Sequence, residues 1–260
     1  MGVSKEINDR LLILMKFGEL KNLEMLQKGQ VYCKNLKWYS DREKETGDKD
    51  MGDILEGKYK MTQVTAEFYD YETNELIWKL DNVSSLLYSK NIQRMPVFCI
   101  TTLTTDDFEF IDKDEFTAFT DIKLVDILSE MFDKPYWNNA LIITKPRKFL
   151  ERVLKACNNS GIEVEGRKVK YTDMNINYID RVIDLDNDFS NIAFWKDNYF
   201  AYQHEYRLAF KGKEVDDSFI LNIGDISDIS KIYNREELIE LMNKEFRLEV
   251  RDRKEGIQII

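Results

Sequence analysis

The stretch LLILMKFGELKNLEMLQKGQVYCKNLKWYS, residues 11–40, predicts a strand, a helix and a second strand in close succession. An apolar run opens the stretch, and β-forming residues fill its last third. Three leucines between them recur at helical spacing: Leu20, Leu23 and Leu26. The helical pattern stops at Gly29, a residue type typical of helix ends. We expect this compact unit to bring Lys16 and Tyr32 onto neighbouring strands.

Beyond this unit, strand and helix patterns interleave without a regular βαβ rhythm. Two β-like stretches predict hairpins, 61–78 around the turn YETNE and 161–173. Three further β-like stretches predict single strands: 95–104, 139–145 and 216–224. The helical stretches are 122–132, 146–157 and 234–246, the last with Asn234 as N-cap and Glu237 three residues on. Because hairpins dominate, we predict an α+β fold, a mostly antiparallel sheet with flanking helices, in a single domain spanning 1–260.

Composition restricts the classes of function. The net charge of −10 opposes attraction to phosphate backbones, so nucleic acid is expected to bind only through a local basic patch. Three separated cysteines and one histidine favour a reducing, cytoplasmic setting and do not suggest a disulfide framework or a zinc site. No apolar run approaches the roughly 18 residues that a membrane span needs. Motifs for P-loop, dinucleotide-fold, serine-hydrolase and zinc-protease chemistry are missing from the sequence.

The polar stretch from Ser40 to Lys60 predicts a long surface loop, either functional or merely solvated. Four of its residues are closely spaced carboxylates: Asp48, Asp50, Asp53 and Glu56. Their spacing differs from that of an EF-hand, so we do not assign a metal site. A flexible acidic loop that gates a pocket or contacts a partner is the favoured interpretation.

The segment YFAYQHEYRLAF, residues 199–210, is the strongest candidate for chemistry. If it forms one strand, Gln203, Glu205 and Arg207 point to the same side. A carboxylate there could stabilise an oxocarbenium-like sugar cation or accept a hydrogen bond from a ribose hydroxyl. The alternative is that Glu205 and Arg207 are surface neighbours on a half-exposed strand.

The order of a first strand with KFG, a helix with NLExLxxG and a late strand with QxE resembles the ADP-ribosyltransferase superfamily, particularly its DNA-modifying, toxin-like branch. The resemblance implies NAD as cofactor, Glu205 as the catalytic glutamate and Gln203 as the residue that orients the substrate. It implies four cofactor contacts: Lys16, Tyr32, Ser40 and Arg207. Lys16 stands where that family has arginine or histidine, and a lysine does not reproduce the two-pronged hydrogen bonding of arginine.

A second resemblance covers nearly the whole chain. Four patterns are similar to a group of bacterial and phage proteins found with mobile elements, several of them among defence or counter-defence genes. The patterns are NLExLQKGxVYxxxLxWYSDxEKxTGDxxxGDxLEG, VFCIT, ALIITKPRxFLxRV and FAYQxEYRLAF. This resemblance implies a counter-defence protein that binds a host defence protein or a nucleotide signal, through the loop at 40–57 and exposed aromatic residues. The alternative is an NAD-dependent ADP-ribosyltransferase-like enzyme that modifies nucleic acid or protein. Both predictions stay open at this point.

Overall fold

The computed structural model describes residues 11–109, 111–114, 117–132, 134, 138–251 and 258–259. Its strands are β1 Leu11–Gly18, β2 Gln30–Asn35, β3 Tyr59–Tyr69, β4 Leu76–Leu87, β5 Pro96–Thr104, β6 Ile111–Asp114, β7 Thr117–Lys123, β8 Asn139–Ile143, β9 Glu163–Lys168, β10 Lys170–Thr172, β11 Trp195–Asp197, β12 Glu205–Lys211, β13 Ser218–Asn222, β14 Ser230–Tyr233, β15 Glu245–Arg251 and β16 Gln258–Ile259. Its α-helices are α1 Leu20–Gln27, α2 Leu36–Thr46, α3 Lys90–Gln93, α4 Val125–Phe132, α5 Pro146–Asn159, α6 Ile179–Asn187 and α7 Arg235–Asn243.

The main sheet has eight antiparallel strands and branches at β5. Along one edge, β5 pairs with β12, which in turn pairs with β9. Along its other edge, β5 pairs with β1 over Thr101–Thr104 and with β2 at Pro96 and Val97. The strands β8 and β14 extend the β1 branch, and β13 extends the β2 branch. The predicted α+β class with a mostly antiparallel sheet is therefore confirmed, while its ADP-ribosyltransferase-like variant stays a prediction.

The sheet is buried on both faces near β12, and alternate residues of that strand divide between the two faces. Tyr206, Leu208 and Phe210 belong to the largest apolar core cluster, which Phe149 and Val153 of α5 cover. Ala209 lies on the opposite face, in a smaller cluster. Glu205 and Arg207 share that opposite face, so both charged side chains point into the protein.

Several local predictions need correction. Asn35 ends β2 and caps α2, because its side chain accepts a hydrogen bond from Trp38 N at 2.8 Å. Residues 36–46 are therefore helical, and neither the strand predicted to residue 40 nor the loop predicted from Ser40 extends through them. The hairpin predicted at 161–173 is wrong as well, since β9 pairs with β12 and β10 pairs in parallel with β11. The capped helix at the C-terminal end is confirmed as α7.

The hairpin predicted at 61–78 is confirmed, and β4 extends it to Leu87. Strands β3 and β4 pair with each other and form a two-stranded sheet separate from the main one. We call this hairpin the ribbon. Only its base packs on the body, where Tyr59 joins a core cluster with Leu185 and Ile192.

Candidate functional site

Arg207 is the centre of a buried group of charges. Its side chain is 1% exposed. Its Nη1 and Nη2 donate to the two carboxylate oxygens of Glu56 at 2.5 and 3.1 Å, and its Nε donates to Glu205 Oε1 at 2.6 Å. A fourth hydrogen bond joins Nη1 to the Ala193 carbonyl at 2.6 Å. The guanidinium is thus held between two carboxylates, an arrangement that suits its planar set of donors.

Lys196 on β11 extends this group to the predicted catalytic pair. Its Nζ donates to Gln203 Oε1 at 2.9 Å and to Glu205 Oε2 at 3.2 Å, and it lies 4.3 Å from the centre of the Phe200 ring. Gln203 is the last residue of a 3₁₀ segment, Asn198–Gln203. The strand predicted through residues 199–203 is therefore wrong. Gln203 and Glu205 meet at a shared lysine, not through alternation along one strand.

His204 makes the turn between the 3₁₀ segment and β12, with a left-handed backbone at φ 43°. Its Nδ1 lies 3.4 Å from Asp107 Oδ1. Burial alone would raise the pKa of Asp107, but its hydrogen bonds with His204 and Thr104 bring that pKa down to about 2. The contact of this histidine is therefore a carboxylate, and no contact with a serine or cysteine nucleophile is found within the described residues.

The acidic loop, Gly47–Gly57, folds onto the sheet and delivers Glu56 to Arg207. Glu56 is 1% exposed, and Asp53 is also buried. Gln93 Nε2 donates to the carbonyls of Glu56 and Gly57, each at 2.9 Å. Two carboxylates of the predicted recognition loop are thus buried inside the protein, and the role of the loop in contacting a partner stays a prediction.

The charges of this group are set by burial and by their neighbours. Burial would raise the pKa of Glu205, but Arg207 and Lys196 outweigh it and hold that pKa well below its usual range. Burial would lower the pKa of Lys196, yet Glu205 and Glu56 raise it above its usual value. For Asp53, burial and the neighbouring Glu56 raise the pKa to about 7. Glu205 and Lys196 therefore stay charged, and Asp53 titrates near neutrality.

This environment leaves Glu205 no free oxygen for a ligand. Its side chain is 5% exposed, and its two oxygens are occupied by Arg207 and Lys196. Its backbone N–H donates to Tyr171 Oη at 2.9 Å, which closes another side. On the neighbouring β5, burial raises the pKa of Cys99 to about 12, and the charge of Glu205 adds to the rise.

Lys16, the first of the predicted cofactor contacts, lies on the other face of the sheet. Its Nζ is 5.3 Å from the centre of the Phe98 ring, and Phe98 belongs to the core cluster of Tyr206. The same Nζ donates to the Cys99 carbonyl at 2.6 Å, at the point on β5 between the residues that pair with β1 and those that pair with β2. The predicted pocket between Lys16 and Glu205 is therefore not formed.

The other predicted contacts divide in the same way. Tyr32 is exposed on β2, and Lys34 Nζ lies 5.7 Å from the centre of its ring. Ser40 is buried, donates to the Ile54 carbonyl at 3.2 Å and accepts a hydrogen bond from Lys58. Three of the six predicted site residues come together: Gln203, Glu205 and Arg207. Tyr32, Ser40 and Lys16 do not join that group.

Sequence reasoning missed the residues that complete the group. Glu56 lies 151 positions from Arg207 along the chain, and no local pattern relates them. Lys196 precedes Gln203 by seven positions, but only the tertiary fold brings their side chains together. A single sequence contains a signal for strands and helices, not for pairs so distant from each other.

The ribbon is the second candidate site, and all of its charged residues lie off one of its two faces. Paired positions place ten residues on one face: Tyr59, Met61, Val64, Ala66, Phe68, Trp78, Leu80, Val83, Ser85 and Leu87. None of them is charged. Towards the tip this face is open to solvent, and Trp78 is 68% exposed beside Phe68, 6.2 Å away between ring centres. We call this surface the apolar face.

The opposite face of the ribbon carries polar side chains bonded to one another, together with exposed Leu86, which pairs with Lys60. Lys79 Nζ lies 3.2 Å from Glu67 Oε1, and Tyr69 Oη donates to Glu67 Oε2 at 2.7 Å. Thr65 Oγ1 donates to Asp81 Oδ1 at 3.0 Å. These contacts satisfy polar groups in water, whereas the apolar face has no cover of its own beyond the base.

Within the described residues, no group of three or more His, Cys, Asp or Glu is placed to hold a metal ion. None of the helices there has both the length and the apolar character needed to cross a bilayer.

No protein-family model, no curated protein and no solved structure matches the chain. The two resemblances that rest on sequence motifs therefore stay predictions.

Proposed function

We propose that this chain is a binding protein that engages another protein through the apolar face of the ribbon. One observation carries the proposal: a hairpin of 11 and 12 residues extends from the body with one uncharged, uncovered face. Large exposed apolar patches on soluble proteins mark interaction sites. Aromatic side chains such as Trp78 and Phe68 are also the residue types that dominate binding energy at interfaces.

The base of the ribbon is anchored firmly enough to present this face. Arg181 of α6 is buried, lies 4.5 Å from the centre of the Tyr59 ring and donates from Nη2 to the Lys60 carbonyl at 2.7 Å. Asn177 exchanges two hydrogen bonds with the backbone of Thr62, at 3.1 and 2.7 Å. A surface held in place before binding loses less conformational entropy when a partner arrives.

A nucleotide signal is a weaker candidate for the bound species. The surface groove beside α2 is lined by Asn35, Lys37, Trp38, Asp41, Arg42, Glu45, Thr46, Asp216 and Asp217. Four carboxylates against two cations disfavour a phosphate there. ADP-ribosyl transfer also gains no support, since Glu205 is already bonded to two cations in a closed interior.

The biological setting comes from the second sequence resemblance and stays a prediction. If the protein acts in conflict between phage and host, the partner is a host defence protein. A ribbon that covers an apolar patch of such a protein would block whatever that patch normally contacts.

Site-specific photo-crosslinking in bacterial cells tests the proposal. A benzophenone side chain replaces Trp78 on the apolar face, and a matched variant carries it at Lys79 on the polar face. We expect a discrete heterologous crosslink from position 78 that is absent from position 79, because the two side chains point in opposite directions.

Crosslinks that are equal at the two positions, or that join only copies of this chain, would contradict the proposal. Trp78→Ser is the companion variant. It should abolish the crosslink formed from a photoreactive group at Leu80 while leaving the melting temperature unchanged, because Trp78 is largely exposed.

A further inference from the structure

We infer that the docking surface of the partner is an apolar patch bordered by lysine and arginine side chains. The inference rests on the proposed function and specifies the chemistry of its partner. It comes from the charge of the outer half of the ribbon, a feature independent of the apolar face itself.

Residues 67–81 carry five carboxylates and one lysine: Glu67, Asp70, Glu72, Glu75, Asp81 and Lys79. The lysine is already paired with Glu67. Asp70 accepts hydrogen bonds from the backbone N–H of Glu72 and Thr73 at 2.9 and 2.8 Å, so it shapes the turn. The side chains of Glu72 and Glu75 have no cation partner among the described residues. The tip thus presents a concentrated negative charge next to a neutral face.

The size of the apolar face shows why the tip takes part in binding. Eleven residues at ~3.3 Å each, across two strands and about 10 Å of width, give at most on the order of 400 Å², and the base within that length is already covered by the body. A standard interface buries about 800 Å² on each partner. A stable complex therefore has to extend past the face onto adjoining surface, and the acidic tip, with fully exposed Tyr71, adjoins its outer end.

A second copy of this chain fits the same surface poorly. Two ribbons would bring like charges together on molecules of net charge −10. Pairing along the strand edges is hindered too, because backbone irregularities at Gln63 and Asn82, with φ of 55° and 56°, interrupt the register of both strands. Complementary charge on a different protein removes the repulsion and directs binding to the face.

Two synthetic hairpin peptides provide defined probes. Each presents Leu and Val on one face, and the border of that face is Lys in one peptide and Glu in the other. Binding is followed through tryptophan fluorescence, and Trp78→Phe identifies the part of the signal that comes from the ribbon. We expect the Lys-bordered peptide to bind at least tenfold more tightly, with an affinity that falls as salt rises to about 0.15 M.

The tip is tested by Glu72→Gln combined with Glu75→Gln. This variant should weaken binding of the Lys-bordered peptide about fivefold at low salt and remove most of the salt dependence. Glu236→Gln combined with Glu240→Gln is the matched control, since it removes two exposed carboxylates from α7 and should leave the affinity unchanged.

Failure of the inference and failure of the proposed function give different results. Equal binding of both peptides, lost in Trp78→Ser, would overturn the basic border while the binding role of the apolar face stands. Binding of neither peptide would overturn the inference. Concentration-dependent dimers in sedimentation that Trp78→Ser abolishes would overturn both, because the occupant would then be a second copy.

Discussion

Replacing Glu205 by glutamine tests whether its carboxylate stabilises the fold or is available for catalysis. The substitution keeps the shape of the side chain and removes its charge. Arg207 and Lys196 would then lie in a closed interior with one charged bond fewer each, since Glu205 now accepts from them at 2.6 and 3.2 Å. Breaking a buried ion pair by removing one member typically costs about 3–5 kcal/mol. We expect the free energy of unfolding to fall by that amount.

Thermal and denaturant unfolding followed by circular dichroism measure the loss. For a chain of this size, about 3–5 kcal/mol corresponds to a drop in Tm on the order of 10 °C. Glu240→Gln, which neutralises an exposed carboxylate on α7, should leave Tm unchanged. A drop of less than about 2 °C for Glu205→Gln would refute the reasoning, because it would show that the carboxylate is dispensable to the fold.

A double-mutant cycle sharpens the result. Lys196→Met alone leaves Glu205 with Arg207 as its remaining cation, whereas the combination with Glu205→Gln removes both members of that pair. We expect the double variant to be more stable than the sum of the two single losses predicts, by about 1–3 kcal/mol. Strict additivity would mean that the 3.2 Å contact between these side chains contributes no coupling.

Three further predictions follow from other parts of the molecule. Folding raises the pKa of Asp53 from 3.8 to about 7, so the stability that this group contributes is complete below about pH 4 and is lost as pH rises through 7. Asp53→Asn should therefore remove a fall in the free energy of unfolding on the order of 2 kcal/mol between pH 5 and 7, measured by denaturant unfolding. Gly29→Ala should lower Tm sharply, since Gly29 has φ of 90° and a Cβ there would lie 2.1 Å from the Gly224 carbonyl oxygen, whereas a normal Tm would contradict that close approach. Burial raises the pKa of both Cys33 and Cys99, so iodoacetamide should modify these thiols in the native protein far more slowly than after unfolding, and rapid native labelling by mass spectrometry would count against it.

The sequence predicted those parts of the fold that depend on local pattern. The apolar run at 95–104 is β5, and the helical stretch from Pro146 is α5, whose Phe149 and Val153 lie in the core. The ribbon was predictable because its turn and the alternation of residues along its strands are both local features of the sequence. Asn35 was missed as an N-cap because β-forming residues on both sides favoured a continuous strand.

The candidate site was less predictable for a physical reason. Alternation along a strand placed Glu205 and Arg207 together correctly, but it could not distinguish a solvated face from a buried one. The deciding contact joins Arg207 to Glu56 across 151 residues. The left-handed backbone at His204 separates the 3₁₀ segment from β12, whereas the sequence pattern predicted one continuous strand through this position.

The branched sheet has a consequence for the chain during synthesis. β5 needs β12 along one edge, and the 100 residues 105–204 separate the two strands in the sequence. At about 5–20 residues per second, the ribosome takes roughly 5–20 s to produce that interval. During this time the edge of β5 has bare N–H and C=O groups that could recruit a strand from another nascent chain. Chaperone protection of the growing polypeptide is therefore expected to matter most between the emergence of β5 and that of β12.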